Sequence, residues 1–501
     1  MSAKDRVRVG IDVSGGEDLS AARPEPDAPF VLLVLGDFGG GGRSGATPVA
    51  FDWDDIDAAM RRIGPVLRYA PPGAPVVELS FRSLEDFHPD RLYEVVPLFR
   101  SLRELRGRLA DERTFEGAAR ELAGGGEREP VVPAASTPAP ATPAALSASA
   151  FSSGSLLDRM VGEGDGGTRA EDELATFLRR VVRPHLVAAP DPRQAELVAS
   201  VDAALAAQMR ALLHDAGFQA LERSWRTLDV LARRIETSST LRLYLLDVPR
   251  VALNAALDGE GGGIVLAQIL TRTASALPAG ARWSAMAGLY EFGSRDADAV
   301  RLAQLGAIAR QLGAPFIGGA APSFVGRETW AQLPDPREWG AAPSATWEAV
   351  RASPEAGWVA LSGPRFLLRA PYGEDGELVE SFAFEEVDTP PDHDAFLWGS
   401  GAAVFALMLA TAFAEEGWSM RPGAFAEVRG LPLHVYQRDG ETVALPCAET
   451  VMSERSAERL LELGISPLAT IKDTDTVRIV RLQSIASPAK RLAGGWNGGG
   501  A

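Results

Sequence analysis

Residues 32–42, LLVLGDFGGGG, hold the first side chains whose spacing suggests chemistry. An apolar run ends in Gly36-Asp37-Phe38-Gly39 and three further glycines, which raises nucleotide chemistry as a possibility. A kinase would need a catalytic His-Arg-Asp and a strand lysine before its Asp-Phe-Gly. Only Lys4 and a few arginines precede Asp37, and the sequence contains no His-Arg-Asp. A phosphate-cradling loop needs Gly-Lys-Ser/Thr, but Arg43-Ser44 follow the glycines here. The five histidines (His88, His185, His214, His393 and His434) include no pair at helical ligand spacing. His393 has acidic neighbours but stands alone in its loop, where solvent exposure is the expectation rather than ligation. The single cysteine, Cys447 between Pro446 and Ala448, reads as a small buried hydrophobe. There is no Gly-x-Ser-x-Gly elbow. A Ser/His/Asp or Cys/His site assembled only in three dimensions stays open as a hydrolase alternative.

The elements around these residues are more informative. The chain has 501 residues, 46% hydrophobic and 23% charged, enough for a large core and about three domains as a prior. A net charge of −17 lacks the basic footprint of a nucleic-acid binder. One cysteine excludes an intramolecular disulfide framework and suits a reducing compartment. The N-terminus lacks a signal-like apolar core, and no apolar run reaches the roughly 18 residues of a membrane span, so a cytoplasmic protein without membrane insertion is expected.

The stretch at 124–154 is rich in Pro, Ala, Ser and Thr and reads as a disordered linker between two modules. The boundaries expected are 1–123, the linker 124–154, 155–487 and a Gly-rich tail at 488–501. In the first module, Val7, Val9, Ile11 and Val13 alternate as in a half-buried strand, and FVLLVL at 30–35 reads as a strand covered on both faces. Ile56, Met60, Ile63 and Leu67 recur at helical spacing, PVVELSF returns as a strand, and RLYEVVPLFRSLRELRGRLADE reads as one helix. In the second module, Val198, Val201, Leu205, Met209 and Leu212 form one helical stripe. Phe218, Leu221, Trp225 and Leu228 form another, and LRLYLLDV is a strand by composition. The fold class expected is α/β (mixed α+β), with no internal repeat.

Two stretches carry a family resemblance. PFVLLVLGDFGG, then FDWDDIDAAMRRIGPVL, then LSFRSLEDFHPDRLYEVV, with Asp86-Phe87-His88-Pro89 in the last, resembles the small sheath subunit of bacterial type VI secretion systems (TssB, or VipA). LLHDAGFQALERSWRTLDVL, then GPRFLLRAPYG, FAFEE and AFLWG, resembles the large sheath subunit (TssC, or VipB), in family order as far as Gln483-Ser484. The resemblance implies two interlocking modules fused into one structural, non-enzymatic protomer. That protomer would assemble helically with copies of itself around an inner Hcp-like tube to drive effector delivery, in contact with baseplate components. The alternative is a sheath-derived baseplate or regulatory protein that does not polymerise.

The residues from Arg6 to Val13 occupy the place of the family's linking strand. Leu156, Leu157 and Met160 match the helix that a ClpV-like ATPase engages, although packing against the small module is the favoured reading. Family large subunits continue past Gln483-Ser484 with an apolar helix and a terminal strand, whereas this sequence runs into a Gly-rich tail, which puts contraction in doubt. No cofactor is implied.

For the shared motifs a structural role is the expectation. Phe218 and Trp225 are core residues, while Glu222 and Arg226 are i,i+4 partners. Arg365 and Arg369 are candidates to pair with Glu385 and Glu386. Asp37 ends a strand and accepts hydrogen bonds from loop amides.

Overall fold

The computed structural model describes residues 24–40, 47–71, 75–124, 192–278, 280–331, 333, 335–340, 343–374, 376–388, 390–423 and 427–496. The expected linking strand (Val7, Val9, Ile11, Val13), the linker and the Leu156-Leu157-Met160 segment lie outside them. The chain divides into one unit of residues 1–102 with 202–501 and a second of 103–201.

The larger unit is organised by a nine-stranded sheet. Its strands are β1 (Phe30–Gly36), β2 (Val49–Phe51), β5 (Leu241–Asp247), β6 (Ala285–Phe292), β7 (Phe316–Ala320), β8 (Val359–Gly363), β11 (Glu427–Val428), β14 (Ile465–Thr470) and β15 (Val477–Ile479). Their order is β11-β15-β14-β8-β7-β6-β1-β5-β2. The six central strands run parallel and read as near-continuous apolar runs, as strands covered on both faces must. Three short pairs stand apart: β3 (Val66–Tyr69) with β4 (Val77–Ser80), β9 (Phe366–Leu367) with β10 (Trp398–Gly399), and β12 (Val435–Arg438) with β13 (Glu441–Ala444).

Strand β1 sits in the interior of this sheet. It pairs in parallel with β5 along its whole length, Phe30 opposite Leu241 through Gly36 opposite Asp247. On its other side it pairs with β6, Leu32 opposite Ala285 through Leu35 opposite Gly288. The N-terminal strand is thus an interior strand of the C-terminal sheet. The β1 and β2 strands of the small module are built into the common sheet, and only β3 and β4 pair with each other. Parallel strands need long crossovers, so nothing local in the sequence announces this partnership.

Helices cover both faces. On one lie α7 (Arg250–Asp258), α8 (Ile264–Ala274), α9 (Asp296–Leu312), α10 (Ala345–Arg351) and α12 (Glu454–Glu462), packed with Val31, Leu33 and Leu35 in one core. On the other lies α11 (Gly401–Glu416), buried all round from Gly401 to Ala410, as a helix apolar on every side must be. Phe30 meets Phe413 and Trp418 on this face at 5.0 and 5.8 Å. Behind α11 runs α6 (Ala216–Arg234), started by Asp215, whose carboxylate accepts from the Gly217 and Phe218 amides. It follows α5 (Pro192–Leu213). The N-terminal segment adds α1 (Ile56–Ile63), α2 (Pro89–Val95) and α3 (Pro97–Ala110). The single helix expected over 91–112 is broken at Val96, because Pro97 has no N–H to continue it.

The smaller unit holds the end of α3, α4 (Phe115–Gly124) and the start of α5. Within it, Leu109, Phe115 and Ala118 are buried, Gln194 Nε2 donates to the Leu109 carbonyl, and Arg193 pairs with Glu116 at 3.1 Å.

Candidate functional site: the seam and its buried charges

The described residues that follow β1, Asp37 to Gly40, form a turn whose partners come from the C-terminal segment. Asp37 Oδ1 accepts from the Gly40 amide at 3.0 Å, at a residue with φ of +68°. Asp247, the last residue of β5, accepts from the Phe38 and Gly39 amides at 2.7 and 3.2 Å. Burial pushes its carboxyl up to about 6, against the pull of those two amides. Phe38 is fully buried edge-on to Trp225, whose indole N–H donates to the Phe38 carbonyl at 3.0 Å. The Asp-Phe-Gly that suggests nucleotide chemistry is therefore a strand end clasped by α6 and β5.

A second contact across the seam is aromatic. Asp86 organises its own turn by accepting from the Arg82 and Ser83 amides, which sets Phe87 inward. Phe87 stacks on Phe81 at 4.3 Å and meets Phe218 of α6 edge-on at 5.6 Å. The same motif continues into a grip on residues 372–382. His88 lies edge-on to Tyr372 at 4.9 Å, and its Nδ1 accepts from the Asp90 amide. Asp90 accepts from the amides of Glu380 and Ser381 at 3.1 and 2.9 Å, and Tyr93 stacks on Phe382. Burial of Asp90 is outweighed by those two amides, which hold its carboxyl below the usual range.

Beneath this grip lies a closed charge network. Glu222 and Glu386 are buried, and Arg369 bridges them. Its Nε donates to Glu222 at 2.8 Å, and Nη1 and Nη2 donate to Glu386 at 2.6 and 3.0 Å in the two-pronged geometry that suits a guanidinium. Arg226 donates to Glu222 at 2.6 Å and to the Tyr372 hydroxyl at 2.8 Å. Tyr372 returns its amide to Glu386 and lies under the Arg369 guanidinium at 4.2 Å. His214 Nε2 stands 3.7 Å from Glu386. Burial alone would raise the Glu386 carboxyl; Arg369 first, then the hydrogen bonds it receives, hold it instead at about 2. Two carboxylates meet two guanidiniums, and breaking such a set costs more than forming it gains.

Arg365 does not join them. It turns to Glu449, with its side chain on Oε1 and its own amide on Oε2 at 2.8 Å. Glu385 is left near the surface, accepting from the Glu374 amide. His393 is not the exposed loop residue expected: its Nε2 lies 3.2 Å from Glu449, and its ring stacks on Trp398. Cys447 is buried, and burial pushes its thiol up to about 11, which suits a packed side chain rather than a nucleophile.

Sequence reasoning missed Asp247, Tyr372, Asp90 and Glu449. A signal exists for Asp247: FVLLVLGD and LRLYLLD both end a buried strand in aspartate, and parallel pairing sets these ends together. The rest carry no local signature. Among the described residues, no group of three or more His, Cys, Asp and Glu is placed to hold a metal ion, and no helix is long and apolar enough to cross a membrane.

Two halves share one sheet, and polar contacts of Phe38, Gly39 and Asp90 with Asp247, Trp225, Glu380 and Ser381 join them, while the Glu222–Arg369–Glu386 network braces the C-terminal half, which defines a composite structural α/β unit. Residues 195–486, more than half of the chain, match the family described as EvpB/VC_A0108, tail sheath N-terminal domain (VipB), and residues 2–120 match type VI secretion system, VipA, VC_A0107 or Hcp2. The chain belongs to the type VI secretion sheath family, with the small-subunit and large-subunit regions fused. It is 30% identical over 306 residues to the type VI secretion system sheath protein TssC1 of Pseudomonas aeruginosa, an alignment covering 59% of this chain and 61% of that relative's length.

Proposed function

We propose that this chain is a structural, non-enzymatic sheath protomer in the bacterial cytoplasm, which assembles with copies of itself into a helical sheath around an inner Hcp-like tube to drive effector delivery. The carrying observation is β1 seated between β5 and β6, because it makes the fused halves one building block rather than two beads on a tether. Covalent fusion holds the partners at an effective concentration in the millimolar range and fixes their stoichiometry at one to one. In this reading Asp37, Asp86, Phe87, Phe218 and Trp225 hold the seam between the halves, and Glu222, Arg226, Arg369 and Glu386 brace the C-terminal half. Arg365 and Glu449 hold a neighbouring layer. Residues Arg6 to Val13 would add to an exposed strand edge of a neighbouring copy. A groove of about 470 Å³ beside the edge strand β2, lined by Phe51, Asp52, Ser238 and Arg242 among others, offers one such edge. Baseplate components and a ClpV-like ATPase are the further partners of this role.

Electron microscopy of the purified protein, with and without the tube protein, tests the proposal. Tubes of regular pitch are expected. Discrete particles under both conditions would favour the baseplate or regulatory alternative instead.

A further inference from the structure

One cluster of ionisable groups plays no part in locking the two halves. At the end of β6 the register against β7 slips, so that residues 288–290 face the single residue Gly318 before Glu291 returns opposite Gly319. A bulge of this kind re-aims the next side chain. Here it sends the Glu291 carboxyl over Gly319, where a Cβ would collide with Glu291 Oε1 and lie 2.6 Å from the hydroxyl of Ser400, the N-cap of α11.

The charged groups around it come from every neighbouring element. Arg223 of α6, whose charge acts on Glu291, has an Nε that is buried and finds no hydrogen-bond partner among the described residues. Arg250 of α7 donates to the Glu291 carbonyl at 3.0 Å and is itself paired with Asp298 of α9. Gly319 in turn stands opposite Ser362 in β8, which puts Glu291 at the end of the sheet from which the chain runs on to Arg365, and Arg365 pairs with Glu449, whose carboxylate lies 3.2 Å from His393. That layer is held by backbone bonds from Leu367 to Cys447 (2.7 Å) and from Glu449 to Arg365 (3.0 Å), together with the Arg365–Glu449 pair.

We propose that Glu291 is the proton-sensitive member of a joint between the end of the main sheet and the layer at residues 365–367 and 447–449, closed when Glu291 carries a proton and loosened when it ionises. A neutral Glu291 leaves Arg365 wholly to Glu449. An ionised one is a second carboxylate competing for Arg365 and repelling Glu449, while Arg223 offers it a new partner. Burial, with the Glu449 charge adding to it, pushes the Glu291 carboxyl up to about 7, against the pull of Arg365, Ser400 and Arg223. The sign follows from linkage. A group raised on folding contributes stability below its unfolded value, near 4.5, and loses it as pH rises through about 7. For one such group the closed state loses about tenfold in equilibrium constant between pH 6 and pH 8. The inference concerns a single chain and stands whether or not copies polymerise.

Hydrogen exchange of the full-length protein at pH 6 and pH 8, corrected for the intrinsic rate, tests the joint at peptides covering 363–367 and 445–449. The expected result is a protection factor that falls about tenfold in the unchanged protein and in His393→Gln but moves less than twofold in the Glu291→Gln/His393→Gln double variant, since His393, itself raised, shifts stability in the same sense. Constant protection in the unchanged protein overturns the proposal, and that measurement stands even if the double variant fails to fold. A fall that persists in the double variant, or one abolished by His393→Gln alone, overturns it equally.

Discussion

Severing the tether is the sharpest perturbation of the shared sheet. A protease site placed between Ser136 and Thr137 would leave β1 attached to the C-terminal segment only by non-covalent forces. Six consecutive side chains of β1, Phe30 to Leu35, are at most 3% exposed. At about 1.5–3 kcal/mol each, their burial contributes roughly 9–18 kcal/mol. The Phe87–Phe218 and Phe38–Trp225 contacts add to this. Against it stands an association cost of about 4–15 kcal/mol for two separate bodies. The many further seam contacts tip the difference toward retention, since a micromolar complex needs about 8 kcal/mol net. The cleaved fragments are therefore expected to co-elute on size exclusion with light scattering at micromolar concentration. Introducing Leu33→Asp removes one buried side chain and places an unpaired carboxylate in the core, at a cost of several kcal/mol. Cleaved Leu33→Asp should come apart, and its C-terminal fragment, with the facing edges of β5 and β6 bared, should aggregate. Separation of the unmutated fragments, each retaining a cooperative melt, would refute the shared-sheet reasoning.

Other outcomes follow from the same geometry. Arg369→Ala leaves Glu222 and Glu386 buried without their bridge and should cost about 3–5 kcal/mol in urea unfolding, with part recovered on adding Glu222→Gln and Glu386→Gln. Trp225→Phe keeps an aromatic side chain but removes the indole N–H, stranding the Phe38 carbonyl, and leaves a small cavity in a fully buried site, for a loss of at least about 1–3 kcal/mol by the same assay. On the acid side, Glu386 is held at about 2 by Arg369, so its contribution is present above about 4.5 and is lost as pH falls toward 2. Melting temperature should drop over that range, and Glu386→Gln should flatten the drop. Asp247 and Glu291, both raised, act oppositely and favour the fold as pH falls from about 7 toward 4.

Much of this was legible in the residues. The apolar run at 30–35 and the leucine-rich stretch LRLYLLD at 241–247 are strands, and the stripe Phe218, Leu221, Trp225, Leu228 is one fully buried helix face. Both depend on local periodicity, which sequence displays directly. The Glu222–Arg226 pair was visible for the same reason, as i,i+4 neighbours.

What sequence could not supply was the partner of each element. FVLLVL looks the same whether its neighbours are its own module or another 200 residues away, because a parallel ladder leaves no trace in local spacing. Likewise, that Arg369 closes on Glu222 and Glu386 while Arg365 chooses Glu449 was decided by the path of the chain after β8. The amino-acid order determined the strands, the helices and the family. Tertiary structure alone decided that the two fused regions share one sheet, since only packing brings residues so distant in sequence within reach of one another's hydrogen bonds.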